Sequence, residues 1–212
     1  MTPQIPRVVD ISHHNTVKDL GATAKAGIWG VIHKASQGRA YADPDYAARR
    51  TMAAAAGLLW GAYHFNTGDP VPAQVENFLN HAKPDDKTLL VLDYEDNRPS
   101  NMTIAQAVEF LRLIEQGAGR RAAIYSGNRL KETIGLLNKA DQAYVVSHRL
   151  WLCQYGQKPR CPSGFTSFWL WQYTGDGVGP EPHNVPGIAA GNGGIDLNVF
   201  RGSREQLVSS WV

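Results

Sequence analysis

Leu90-Val91-Leu92-Asp93-Tyr94-Glu95-Asp96 is the stretch on which the reading of this chain turns. An unbroken apolar run that stops abruptly at acids is what a strand buried on both faces needs at its exposed end. Residues i and i+2 of a strand face one side, with α-carbons about 6.5–7 Å apart, so Asp93 and Glu95 are expected to project together. Neighbouring carboxylates repel, which raises the pKa of one and lets it hold a proton near neutral pH. Glycosidic cleavage needs such a pair: one group protonates the leaving oxygen while the other stabilises the positive sugar centre. An acidic pair at a strand end is also common as a solvated feature, so the rest of the chain decides.

On either side of this run, short apolar segments alternate with amphipathic ones. Residues 8–12, 29–34, 59–65, 89–95, 122–126, 150–155, 168–173 and 194–200 read as strands, rich in branched or aromatic residues and bounded by Gly, Pro or Asp. Between them, Asp43-Pro44 opens a helical pattern that runs through the Ala53 to Ala56 block and stops at Gly57. Residues 71–83 and 103–117 carry apolar residues at helical spacing. Asn101-Met102-Thr103 matches a glycosylation sequon but reads better as polar capping ahead of the helix with Ile104, Val108 and Leu111. After residue 150 the connections are short or irregular, and residues 175–194 form a Gly/Pro-rich loop. The expectation is one α/β domain over residues 1–212, a barrel of parallel strands with some helices missing.

In such a barrel the active site lies at the C-terminal ends of the strands. Asp10, Ser12, Lys34, His64, Asp93, Glu95, Tyr125, Gln154, Gln172, Asp196 and Asn198 all fall there. Asp10 and Asp196 end the first and last candidate strands and become neighbours on closure. Four acids at one mouth have little structural reason to be there, so Glu95, Asp93, Asp10 and Asp196 are the candidate catalytic residues. Tyr63, Phe65, Tyr125, Trp151, Tyr155, Trp171 and Tyr173 lie at or near the same ends, where sugar rings would stack on them while Gln and Asn bind hydroxyls. Barrel core claims about half of those aromatics. The candidate substrate-binding residues are Tyr63, Phe65, Tyr125, Trp151 and Gln172.

The composition is compatible with this and narrows the partners. In 212 residues, Lys plus Arg number 21 and Asp plus Glu 19, a net charge of +2, which leaves no electrostatic footprint for nucleic acid or an anionic membrane. Hydrophobic residues make up 43% and charged residues 19%, too apolar for disorder. No run approaches ~18 apolar residues, so no membrane span is expected. Met1 to Pro6 lacks the basic patch and apolar run of a secretory leader. Cys153 and Cys161 lie eight residues apart and fit either one loop-closing bridge or two free thiols.

Seven segments in order resemble the glycoside hydrolase family 25 lysozymes, the Chalaropsis-type muramidases. They are Val9-Asp10-Ile11-Ser12-His13-His14, Lys34-Ala35-Ser36-Gln37-Gly38, Gly61-Ala62-Tyr63-His64-Phe65, Leu92-Asp93-Tyr94-Glu95, Leu150-Trp151-Leu152, Trp171-Gln172-Tyr173 and Ile195-Asp196-Leu197-Asn198. The resemblance implies a single irregular, flattened β/α (TIM-like) barrel of about eight strands and fewer helices. It implies hydrolysis of the bond between N-acetylmuramic acid and N-acetylglucosamine in peptidoglycan glycan strands; a monomer that needs no cofactor is the accompanying expectation. By position Glu95 matches the family's proton donor and Asp93 its partner carboxylate. Asp10 and Asp196 match two further acids, and Tyr63 and Phe65 match groove aromatics. Tyr94 stands where a small aliphatic is usual and Cys153 where alanine is common. A lone lytic domain suits a phage or prophage endolysin, made in the cytoplasm and released to the wall by a holin; a bacterial enzyme exported by another route is the alternative.

Other readings fit less well. His13, His14 and His64 with Asp93 and Asp196 suggest a metal-dependent hydrolase. Adjacent histidines of a strand face opposite sides, however, and no H-x-H or H-E-x-x-H spacing occurs, so His13 is expected to be a hydrogen-bonded structural residue. A non-enzymatic glycan-binding barrel would be expected to lose an acid, and none is lost. A chitinase-like enzyme shares the Asp-x-Glu pair but not the flanking segments. Gly175-Asp176-Gly177-Val178-Gly179 does not open a strand-to-helix turn, and no Walker lysine follows it.

Overall fold

The computed structural model describes residues 4–189 and 193–212. The first three residues, half of the segment read for a leader, and residues 190–192 of the Gly/Pro-rich loop lie outside them.

All eight expected strands form, as β1 (Val8–Ile11), β2 (Gly30–Gln37), β3 (Leu59–Phe65), β4 (Leu89–Asp93), β5 (Ala123–Ser126), β6 (Leu150–Cys153), β7 (Leu170–Thr174) and β8 (Asp196–Val199). β1 pairs with β2 on one side and β8 on the other, which closes the sheet into a barrel. Neighbours from β1 through β7 run parallel in chain order. The expectation of an all-parallel barrel fails at β8, which is antiparallel to both β1 and β7. With no helix between β7 and β8 among the described residues, the chain has no crossover to carry it back, so it turns and runs down. Asp196 therefore opens its strand rather than ending it, yet lies at the mouth, with its α-carbon paired to Asp10.

The α-helices among the described residues are α1 (Leu20–Lys25), α2 (Tyr46–Ala55), α3 (Val71–Ala82), α4 (Ile104–Ala118), α5 (Asn128–Thr133), α6 (Lys139–Val146) and α7 (Arg204–Ser209). Helix α2 ends before Gly57, which takes φ +66, a left-handed conformation that glycine adopts without a Cβ penalty. Thr103 caps α4 in a reciprocal box with Gln106, so the Asn101-Met102-Thr103 segment is a helix start. Helices α1, α5, α6 and α7 have eight residues or fewer and too little periodicity to be read from sequence.

Strand alternation sorts the apolar residues into two layers. Val8, Ile32, Leu89, Val91, Ala123, Tyr125, Trp151 and Leu170 pack with Trp211 and Leu207 into the barrel interior. Val9, Val31, Leu90, Leu92, Ile124, Leu152, Trp171 and Tyr173 belong to the outer layer under the helices. Trp211, 1% exposed, donates its indole N–H to the Trp60 carbonyl and closes the end where the strands begin. Interior positions one step further along β1, β4 and β7 are Asp10, Asp93 and Gln172. The apolar plug thus gives way to polar groups at the mouth.

Candidate functional site

Asp10, Ser12, His14, Lys34, Gln37, Tyr63, Phe65, Asp93, Glu95, Tyr125, Trp151 and Asp196 line one hollow of about 310 Å³ at that mouth. A second hollow, about 400 Å³, is lined by Asp96, Arg129, Cys153, Gln154 and Tyr155 and shares Glu95 with the first. Glu95 thus sits at the divide of a groove. All four candidate acids meet there, as do Tyr63, Phe65, Tyr125 and Trp151.

The two acids of the Asp-x-Glu pair come together for a different reason from the one the strand spacing suggested. Strand β4 ends at Asp93, so Glu95 is not a strand residue. Instead Asn66, fully buried beyond the end of β3, donates its side-chain amide to the carbonyls of both Asp93 and Glu95, each at 3.0 Å. Its side-chain oxygen accepts from Met102 N–H at 3.2 Å and its carbonyl accepts from the Asn97 side chain at 2.8 Å. Nothing in the composition of Phe65-Asn66-Thr67 marks this clamp.

A line of hydrogen bonds runs across the interior beneath the acids. Tyr125 donates its hydroxyl to Gln172 Oε1 at 2.7 Å, and Gln172 Nε2 donates to Asp10 at 3.0 and 3.1 Å. From the other side Trp151 donates to Asn198 Oδ1, and Asn198 Nδ2 donates to Asp10 Oδ1, both at 2.6 Å. Gln172 is 1% exposed, so its amide braces Asp10 from behind and does not reach the hollow, contrary to the expectation of a hydroxyl-binding residue. Trp171 and Tyr173 are fully buried in the outer layer. They sit one position out of step with Gln172, and that parity separates core aromatics from those of the groove.

Burial raises the pKa of every acid of the cluster, because partial withdrawal from water disfavours charge. Asp10 is held to about 6, since the amides of Asn198 and Gln172 stabilise its anion. Glu95 rises to about 7 through burial and then the charges of Asp10 and Asp176, with Lys34 opposing. Asp196 rises to about 9 through burial and the charge of Asp10. Asp93 rises well above the usual range through burial, Glu95 and Asp10, and its Oδ1 has no hydrogen-bond partner. Gly175 packs so close to Asp196 Oδ1 and the Tyr155 hydroxyl that any side chain there would displace them.

Ser12 and Lys34, which the sequence places at strand ends, also line the hollow, and so do His14 and Gln37, for which the sequence gives no such role. Lys34 Nζ donates to Gln37 Oε1 at 2.5 Å and lies 4.8 Å from the Phe65 ring centre, supplying positive charge opposite the acids. Its place two residues after inward Ile32 was the available signal. His13 and His14 follow β1 in a turn, rings 3.9 Å apart, so they are not on opposite sides of a strand. His13 Nδ1 is 2.9 Å from Asp43 Oδ2, and the buried His64 lies between Ser36 and Gln74. Among the described residues no three His, Cys, Asp or Glu side chains cluster as metal ligands. Cys153 and Cys161 are free.

The family model described as glycosyl hydrolases family 25 matches residues 9–181. Lysozyme M1 of Streptomyces globisporus is 27% identical over 213 residues, 95% of this chain and 69% of that protein. YegX of Escherichia coli O157:H7 is 28% identical over 179 residues, and the alignment spans 82% of this chain but only 60% of that protein's length. Among solved structures, a lysozyme from Streptomyces coelicolor shares 26% identity with a TM-score of 0.83, covering 100% of this chain and 98% of its own. A muramidase from Trichobolus zukalii shares 27% identity with a TM-score of 0.78 over 98% of each chain.

Proposed function

This chain belongs to glycosyl hydrolase family 25, and from that premise we propose that it cleaves the β-1,4 bond between N-acetylmuramic acid and N-acetylglucosamine in peptidoglycan. One observation carries the reading: four carboxylates, Asp10 and Asp93 buried and Glu95 and Asp196 half-buried, all with raised pKa, gathered at one barrel mouth beside Tyr63, Phe65, Tyr125 and Trp151. The barrel and its loops act as one catalytic unit, as a monomer, on glycan strands at the cell wall. Among the described residues no helix is long and apolar enough to cross a membrane.

Glu95 is the general acid. A pKa of about 7 leaves much of it protonated near neutrality, and its place at the divide suits a scissile bond lying between two sugars. The muramyl sugar occupies the four-acid hollow and the leaving sugar the other. Its own acetamido oxygen attacks the anomeric carbon, because a tethered nucleophile needs no bimolecular encounter. Asp93 Oδ1, without a partner in the protein, accepts the acetamido N–H. The positive charge that develops on the oxazolinium ring lowers the Asp93 pKa, its proton passes to water in the open groove, and the carboxylate so formed stabilises the ring. Glu95 gives its proton to the leaving oxygen, and as a carboxylate it takes one back from the water that opens the ring. Asp10 and Asp196 raise the Glu95 pKa and position that water.

Mass spectrometry of muropeptides released from purified peptidoglycan tests the activity. Reducing ends on N-acetylmuramic acid are expected. Reducing ends on N-acetylglucosamine would replace the assignment with a glucosaminidase, and no new reducing ends would leave a glycan-binding barrel.

A further inference from the structure

A second groove, about 420 Å³, opens at the opposite end of the barrel, where β6 starts at Leu150, β7 starts at Leu170 and β8 ends at Val199. Phe168, Trp169 and Phe200 give it apolar walls, and His148, Arg149 and Arg201 are among its polar residues. No Asp or Glu lines it among the described residues.

Two features there are unusual for a folded protein. Arg149 is partly buried, its guanidinium donating to the carbonyls of Ser210 and Arg121 and lying 5.5 Å from the Trp169 ring centre. Among the described residues it pairs with no carboxylate, and neither does Arg201, which is exposed 4.9 Å from the Phe168 ring centre. A cation withdrawn from water is ordinarily matched by an anion. Secondly, His148 is 4% exposed with Nδ1 2.8 Å from the Ala122 carbonyl, so Nδ1 donates and Nε2 is left as an acceptor. That Nε2 is buried without a partner. Unpartnered buried acceptors cost free energy unless a ligand or water supplies a donor.

An acidic sugar answers both features at once. Its ring carries an apolar face for the aromatic walls, its hydroxyls are donors for His148, and its negative group matches the two guanidiniums. We propose that this groove is a second saccharide site, distinct from the acid-lined groove, that binds a pyranose bearing a carboxylate or a phosphate. The wall offers both chemistries, as muramyl carboxylates and as sugar phosphates.

The test is NMR titration of the full isotope-labelled chain, reading the Trp169 indole N–H and the His148 ring. N-acetylmuramic acid, N-acetylglucosamine 6-phosphate and neutral N-acetylglucosamine are the probes. The two acids should shift both signals, and Arg201→Ala should weaken that binding at least ~10-fold, the scale of one lost charge-assisted contact. Arg201→Lys should recover part of it, and Arg201→Ala should leave turnover of a soluble peptidoglycan fragment unchanged. A response to N-acetylmuramic acid alone assigns the site to glycan strands, and a response to the phosphate alone assigns it to phosphate-bearing wall sugars. Equal binding of the neutral sugar, no response to either acid, or no weakening in Arg201→Ala would overturn the proposal. Because these signals do not depend on turnover, the result stands apart from the muramidase assignment.

Discussion

Glu95→Gln keeps the shape of its side chain and removes the transferable proton. Turnover on peptidoglycan is expected to fall by ~10²–10⁴-fold with the circular-dichroism spectrum and melting temperature retained. A folded variant that keeps most of its rate would remove Glu95 from the chemistry. The pH profile follows from the same residue. With a pKa of about 7, Glu95 loses its proton as pH rises past neutrality, so kcat/KM should fall on the alkaline side. Asp10 at about 6 should define the acid limb, since its anion is the form that Gln172 and Asn198 hold. The apparent values belong to the coupled cluster rather than to single residues. The role given to Asp93 makes a sharper prediction: a thiazoline analogue of the cyclised sugar should inhibit competitively, and a substrate with hydroxyl in place of acetamido should bind and be nearly inert. Trapping a covalent Asp93–fluorosugar adduct would instead make that carboxylate the nucleophile.

Between β3 and β4 the catalytic geometry depends on one side chain that takes no part in chemistry. Asn66 ties the backbone on both sides of Tyr94, so Asn66→Ala leaves the Glu95 carbonyl and the Met102 N–H without their partner, while the Asp93 carbonyl keeps only the Asn66 backbone N–H. Each such buried loss costs about 1–3 kcal/mol. The expected outcome is a lowered melting temperature together with a fall in kcat larger than the rise in KM, measured below the melting transition. Unchanged kcat in a destabilised Asn66→Ala would confine this residue to stability. Tyr94, which departs from the family's small aliphatic, is fully buried with its hydroxyl 3.1 Å from Thr133 Oγ1 and the Arg129 guanidinium 5.7 Å from its ring centre. The larger residue packs against α5 and leaves the acid pair in place.

Across the molecule the acid cluster has a consequence for stability. Its carboxylates have folded pKa values above their unfolded ones, about 6 for Asp10, about 7 for Glu95 and about 9 for Asp196, so the native state binds more protons than the unfolded chain. Their contribution is fully present below pH ~4 and is lost as pH rises through those folded values. Calorimetry should therefore give a higher melting temperature at pH 5 than at pH 8. Asp196→Asn should flatten that dependence and raise the melting temperature at pH 8, while slowing catalysis. An Asp196→Asn protein that unfolds at unchanged intrinsic activity would make the residue a structural cap instead.

Eight strands, three of the longer helices and the four acids were legible because their causes are local. Alternation, apolar runs, a capping threonine and turn glycines act within a few residues, and Asp93 and Glu95 stand out because an apolar run stops at them. The spacing of Cys153 and Cys161 fits a bridge or two free thiols equally, since side-chain approach is not written in spacing, and the fold keeps both free. The direction of β8, the Asn66 clamp, the parity that buries Trp171 and Tyr173 while sending Tyr125 and Trp151 to the groove, and Gln172 as a brace under Asp10 were decided only by tertiary structure. Each depends on which distant segment closes against which. Asp10 and Asn198 lie at opposite ends of the chain, and the hydrogen bond between them exists only once the barrel has closed.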